Sequence, residues 1–267
     1  MQTKVYLVYL EFTRDHGESG LKELKSFASR LFPSAVQNLV VLNNASTKNE
    51  EVYLAQGYDL ISGDNSAREF SGYAKGLRWF ESFGTIDPSS IFIIANDTFH
   101  RSYGTQYLSD FSLQQIVQMR ASGGIVGYVD AFPEPVTLMS LSFQKWIRSS
   151  LLISTYRTLK RLSPLNQPLQ RETFFRPDSD PKFFAESAPL SSTYQDYLRT
   201  WLFAPVDGQS HFQEEWHSKQ PLSEQNVASM REKAMCIFNE HSLSARAQSL
   251  GIPLIASNRE RLPAFLR

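Results

Sequence analysis

Apolar positions in the first hundred residues change period repeatedly. Val5 to Phe12 is a short β-rich run, and Leu21, Leu24, Phe27, Ala28 and Leu31 then recur on one face of a helix that must stop before Pro33. Residues 39–42 and 58–61 are two further short buried runs. Phe70, Tyr73, Ala74, Leu77 and Phe80 follow at helical spacing, and 91–95 makes a fourth strand. Alternation of this kind predicts an α/β fold with a Rossmann-like, mostly parallel central sheet flanked by helices. Three of these strands run straight into polar residues: Asn43, Asn44, Ala45, Ser46 and Thr47 after the second, Ser62, Gly63, Asp64 and Asn65 after the third, and Asn96, Asp97 and Thr98 after the fourth. Ligands of open parallel sheets sit outside the carboxyl ends of the strands, where loops and helix N-termini converge, so that edge is the expected functional one.

Farther along, 116–119 reads as helical, 123–132 as a strand after the Gly123-Gly124 turn, and 136–143 as another strand. The spacing predicts a helix over 146–162, with Lys145, Arg148, Arg157, Lys160 and Arg161 making that stretch cationic. From 163 to 190 prolines, polar residues and aromatics alternate without period, which suggests an ordered loop or an insertion. Helices are predicted over 194–203 and 223–240, making the C-terminal part helical.

A chain of 267 residues, 42% hydrophobic and 20% charged, can bury a substantial core in one large α/β domain or two small ones. Lys and Arg number 27 and Asp and Glu 27, so no global field draws in nucleic acid, and any charged partner must be held by a local site. The single cysteine, Cys236, makes an intramolecular disulfide impossible and a reducing, cytoplasmic setting the default. The opening MQTKVYLVYLEF lacks the apolar core of a signal peptide, and no run approaches a membrane span. The cationic stretch 145–161 would suit peripheral contact with the inner face of an anionic membrane, or else is a solvated basic face.

Four segments, taken in order, resemble the family 2 glycosyltransferases and the rhamnan-synthesis-type polysaccharide transferases of bacteria. VVLNNAST at 40–47 is similar to the second-strand motif, and DNSAREFSGYAKGL at 64–77 to the Asn-x-Gly-x-(Asp/Glu) segment that begins the next helix. IFIIANDTF at 91–99 sits where the family has its Asp-x-Asp element. NEHSLSARAQSLGIPL at 239–254 resembles the late helix start, through Leu243, Ser244, Arg246, Ala247 and Gly251, with Glu240 in place of the catalytic Asp. The resemblance implies a single GT-A-type domain over 1–267, its half 1–144 binding a nucleotide-sugar and its helix-rich half 145–267 binding an acceptor, with an irregular insertion near 163–222. Whether the chain is a whole protein or one module of a larger synthase stays open.

The implied activity is transfer of a sugar, with inversion, from a nucleotide-sugar donor to a growing bacterial surface polysaccharide such as O-antigen of lipopolysaccharide or capsule, free or lipid-linked. Such a reaction needs recognition of base and ribose, stabilisation of the departing diphosphate, and a base for the acceptor hydroxyl. The resemblance assigns donor binding to Asn43, Asp64, Asn65, Arg68, Asn96 and Asp97, and the general base to Glu240. Asp97 is the candidate ligand for a divalent cation, Mn or Mg, although the first acidic position of Asp-x-Asp is filled by Asn96 or Ala95; without a cation, Arg68, Arg101 or His100 would have to offset the leaving-group charge. The bland alternatives are turn formation for Asn-Asp-Thr, helix capping for Glu240 and core packing for Tyr197, Trp201 and Trp216, which could otherwise line an acceptor groove. HFQEEWH at 211–217 lacks the His spacing of a metalloprotease helix. Rival functions are a non-catalytic glycan-binding or scaffold protein of the same fold, and a retaining transferase or nucleotidyltransferase.

Overall fold

A computed structural model describes residues 4–12, 14–45, 53–55, 57–101, 104–177, 183–204 and 220–258. Its elements run β1 (Lys4–Glu11), α1 (Arg14–Leu31), β2 (Val36–Asn43), β3 (Tyr53–Ala55), β4 (Tyr58–Ser62), α2 (Glu69–Glu81), β5 (Ile91–Asn96), α3 (Thr98–Arg101), a 3-10 turn (Gln106–Asp110), α4 (Leu113–Ser122), β6 (Ile125–Leu138), β7 (Leu141–Thr155), α5 (Tyr156–Arg161), α6 (Arg171–Phe174), α7 (Ser192–Leu202), α8 (Val227–Ser249) and β8 (Leu254–Ala256). The strands form one sheet in the order β3-β4-β2-β1-β5-β7-β6-β8.

Strands β4, β2, β1 and β5 are mutually parallel, as expected of the first half. The whole sheet is mixed, with four of its seven pairings parallel. β7 runs antiparallel to both β5 and β6, β3 antiparallel to β4, and β8 parallel to β6. Both faces of the sheet are covered, so β1 is buried along most of its length and reads as a continuous apolar run. Leu7 and Tyr9 face Leu24, Phe27 and Leu31 of α1, while Val8 and Leu10 face Phe70, Tyr73 and Leu77 of α2. Each such buried side chain contributes roughly 1.5–3 kcal/mol of transfer free energy. Helix α2 lies unusually close to the sheet, because a Cβ on Gly76 would fall 2.4 Å from Val8 Cγ1.

The predicted helix over 146–162 is instead the strand β7 followed by the short α5. β7 is inserted between β5 and β6, so Ile147, Leu151, Leu152 and Ile153 are all buried and no period of two remains to separate strand from helix. Of the basic residues of this stretch, Lys145 and Arg148 lie on β7, whereas Arg157, Lys160 and Arg161 share the exposed face of α5. Arg148 pairs with Asp130 at 2.6 Å, Lys160 with Glu81 at 3.1 Å, and Arg161 donates to the Leu250 carbonyl at 2.9 Å. The single cationic helix expected there is thus a strand followed by a six-residue helix. Residues 136–143 are likewise not one strand, since the chain reverses at Met139, whose φ is 58°.

The β6–β7 hairpin runs past the end of the parallel half and needs its own cover. Phe132, Val136, Leu138 and Phe143 of the hairpin form a third core with Phe174, Phe175, Phe183, Phe184, Tyr194 and Leu198 of the insertion and Phe238 of α8. The aperiodic aromatics of 163–222 are, among the described residues, this cover. No helix of the described residues is long and apolar enough to cross a membrane.

Candidate active site

Strand register brings the polar strand ends level. Glu11 lies opposite Asn43, Asn43 opposite Ser62, and Leu10 opposite Asn96. Glu11, Asn43, Asn44, Ser62, Asn96 and Asp97 are each at most 8% exposed, so together they form a buried polar floor at the carboxyl edge. Buried polar groups need partners, and most here find them locally. Asn43 Oδ1 accepts from the Ala45 N–H at 2.9 Å, and Asn96 Oδ1 from the Thr98 N–H at 3.1 Å and from its hydroxyl. Both asparagines thus form the turns expected of Asn after a strand. Asp97 Oδ2 accepts from the Phe12 N–H at 3.2 Å, and the Asp97 N–H donates to the Leu10 carbonyl.

Asn44 organises the next loop. Its Nδ2 donates to Asn65 Oδ1 at 3.3 Å and to the Arg68 carbonyl at 3.1 Å. Asn65 and Arg68 both have φ of 52°. Asn tolerates that region, but Arg68, with ψ of −130°, occupies backbone space that costs of order 1–3 kcal/mol and that clusters at functional sites. The Arg68 side chain is exposed on the rim, as is Asp64, whose Oδ1 accepts from the Ser66 N–H and hydroxyl at 2.9 Å each.

Glu240 reaches this edge from the other half of the chain, and an irregularity in β7 explains how. β6 and β7 pair Gly127 with Leu152 but Val129 with Ile147, so the segment Arg148 to Ser150 bulges out where β7 passes the end of β5. Two N–H groups freed there are taken by α8. Ser244 Oγ accepts from the Ile147 N–H at 3.0 Å, and Glu240 Oε2 from the Ser149 N–H at 2.6 Å. One helical turn separates the two acceptors and two strand residues the two donors, spacings of about 6 Å in each element. Ser149 Oγ also lies 2.6 Å from Glu240 Oε2 and 3.2 Å from Glu69 Oε1, while the Tyr73 hydroxyl donates to the Ser149 carbonyl at 2.8 Å.

Burial pushes the Glu240 carboxyl up to about 7; the two Ser149 hydrogen bonds oppose the rise, and the negative charges of Glu69 and Asp130 add to it. Glu69 is raised as well, chiefly by burial, with Lys233 and Arg68 opposing. Burial holds Tyr73 well above the usual phenol range, reinforced by Glu69, Glu240 and Asp97, which marks these groups as one electrostatic neighbourhood. Glu240 lies in the interior of α8 and not at a helix start as the motif implied, so it caps nothing. The other motif residues are structural. Arg246 donates to the carbonyls of Leu162, Pro164 and Leu165, Leu243 and Ala247 are core, and Gly251 takes the left-handed turn after the helix. His241, next to Glu240, is kept neutral, since burial lowers its ring to about 3, and its Nδ1 lies 2.6 Å from the Tyr194 hydroxyl.

The structure thus gathers Asn43, Asn96, Asp97 and Glu240 at one edge, with Asp64, Asn65 and Arg68 on its rim. Sequence reasoning gave no role to Glu11, Phe12, Asn44, Glu69, Tyr73 or Ser149. Phe12 is 46% exposed immediately after β1, a placement that only the structure shows. Tyr197 and Trp201 are partly buried against the third core, which is the packing alternative. His100 Nδ1 is buried without a partner among the described residues. Ser46, Thr47, the Arg101 side chain, and 211–217 with Trp216 lie outside the described residues. Among those described, no three Asp, Glu, His or Cys side chains gather as a metal would require; Asp97 offers one carboxylate, so a cation there would depend on a bound diphosphate for further ligands. No protein-family model matches the chain, and no curated protein sequence aligns with it significantly.

Proposed function

We propose that the chain is an inverting glycosyltransferase of GT-A type that transfers a sugar from a nucleotide-sugar donor to a bacterial surface glycan. The observation that carries this reading is the convergence of Glu240, from the last long helix, on the strand edge that holds Asn96 and Asp97. A base with a proton affinity near neutrality is the useful kind, and the Glu240 value of about 7 suits it. In the reaction the anomeric carbon loses its bond to the diphosphate oxygen and gains one to the acceptor oxygen. The acceptor proton passes to Glu240. Arg68 on the rim, and a cation on Asp97 where one binds, would offset the charge of the departing diphosphate, and exposed Phe12 offers a face on which a nucleobase can stack.

The test is a thermal-shift panel of UDP, GDP, dTDP and CMP, each with and without Mn. A ligand that binds only the folded state raises its stability by mass action, so one nucleotide should raise the melting temperature. No shift with any of them would refute the reading. A non-catalytic glycan-binding or scaffold role is favoured by one feature, the neutral Asn96 at the Asp-x-Asp position, with its oxygen spent on its own turn. Stabilisation by oligosaccharide but by no nucleotide would establish that role instead.

A further inference from the structure

Glu69 begins α2 and Glu240 lies deep in α8, yet both carboxyls meet the hydroxyl of Ser149. A serine hydroxyl has one proton to donate. If it is given to Glu240, at 2.6 Å, the contact of Oγ with Glu69 is attractive only when the Glu69 carboxyl is protonated and donates in turn. Two carboxylates crowded into one site resist double ionisation and titrate as a pair. The bulge in β7 makes the meeting unavoidable, because it directs both the N–H and the hydroxyl of Ser149 toward α8.

The geometry points to a carboxyl dyad in which Glu69 and Glu240 hold one proton between them across Ser149 Oγ at neutral pH, with Glu69 the positioning residue that keeps Glu240 basic enough to accept a proton from a sugar hydroxyl. The role of that base rests on the glycosyltransferase reading; the shared proton does not. In the reactive form the proton resides on Glu69 and the charge on Glu240, and transfer of the hydroxyl proton to Glu240 leaves the pair neutral until water removes it. The groups facing the pair have a consistent arrangement. Arg68 and Lys233 act on Glu69, which in turn helps to hold the neighbouring Cys236 thiol protonated, whereas Asp130, itself paired with Arg148, acts on Glu240. Tyr73 from α2 and Tyr194 from α7 complete the surroundings, and both remain protonated because burial raises them well above the usual range. Cations thus stand on the Glu69 side, so the shared proton rests mainly on Glu240, and the form with the proton on Glu69 and the charge on Glu240 is the minor tautomer that reacts.

The experiment is a 13C NMR titration of protein labelled at the glutamate carboxyls, which needs no substrate, with Glu240→Gln and Glu69→Gln assigning the two signals. One dyad signal should titrate near 7, and Glu69→Gln should lower the Glu240 midpoint by about one unit or more. Ser149→Ala should raise it, since the hydroxyl is lost while the N–H remains, and this variant decides the matter should Glu69→Gln fail to fold. A Glu240 midpoint unmoved by both variants, or both carboxyls titrating in the ordinary range near 4.5 in the unaltered protein, overturns the dyad. Failure of the functional reading looks different: coupled titration persists while no nucleotide stabilises the protein. Where transfer is observed, the acid limb of its pH–rate profile should move to lower pH in Glu69→Gln, and an unmoved limb overturns the positioning role.

Discussion

Replacing Glu240 by Gln should make the protein more stable at alkaline pH while removing its activity. The Glu240 carboxyl rises from an ordinary 4.5 to about 7 on folding, so the folded state holds a proton that the unfolded state has released. A raised value stabilises below the unfolded pKa and loses that stabilisation as pH rises through the folded one, so wild-type stability declines between about 4.5 and 7. Two and a half units at about 1.4 kcal/mol each amount to roughly 3 kcal/mol of strain from the charged form above pH 7. Gln keeps an oxygen for the Ser149 N–H and carries no charge to repel Glu69. Glu240→Gln should therefore melt roughly 6 °C or more above wild type at pH 8 and near it at pH 4.5, at about 2–4 °C per kcal/mol for a chain of this size. His241 titrates with the opposite sign over much of the same window, because its lowered value makes the protein lose stability as pH falls below about 6.5. The wild-type curve alone would hide both effects, and the difference between wild type and Glu240→Gln isolates one. The assay is a set of melting curves from pH 4.5 to 8.5 beside turnover, which should fall about a hundred- to ten-thousandfold with nucleotide affinity kept. A variant that melts below wild type at pH 8, or that turns over normally, would refute the reasoning.

Three further outcomes are expected. Gly63→Ala would put a Cβ 1.7 Å from Asn44 Oδ1 and 2.8 Å from its Cγ, so the link from Asn44 to Asn65 and Arg68 should break; denaturant unfolding should show a loss of about 1–3 kcal/mol and nucleotide affinity should fall. Arg246→Lys keeps the charge but cannot serve the three carbonyls of Leu162, Pro164 and Leu165, and should cost about 1–3 kcal/mol in the same measurement without changing nucleotide affinity. Asp97→Asn retains an oxygen for the Phe12 N–H, so the fold should survive with an unchanged melting temperature while any Mn-dependent part of the nucleotide-induced shift disappears; a Mn effect that persists would place the cation elsewhere.

Local pattern was sufficient for the parallel half of the molecule. The periods of Leu21 to Leu31 and of Phe70 to Phe80 became α1 and α2, and the runs at 39–42, 58–61 and 91–95 became β2, β4 and β5, because each element there faces one layer and carries its own period. Parallel strands with helical crossovers also bring their carboxyl ends to one edge, so Asn43, Asn65, Asn96 and Asp97 could be grouped from order alone. The region around β7 was not legible. A strand buried on both faces has lost its alternation, and 146–162 therefore reads as well for a helix as for a strand. Nothing local announces the bulge at Arg148 to Ser150 either, since it exists only because β7 must pair with β5 on one side and β6 on the other in unequal register. For the same reason Glu69, Ser149 and Glu240 are unremarkable as sequence: a proton affinity is set by what surrounds a carboxyl, and here helices from opposite ends of the chain supply the surroundings.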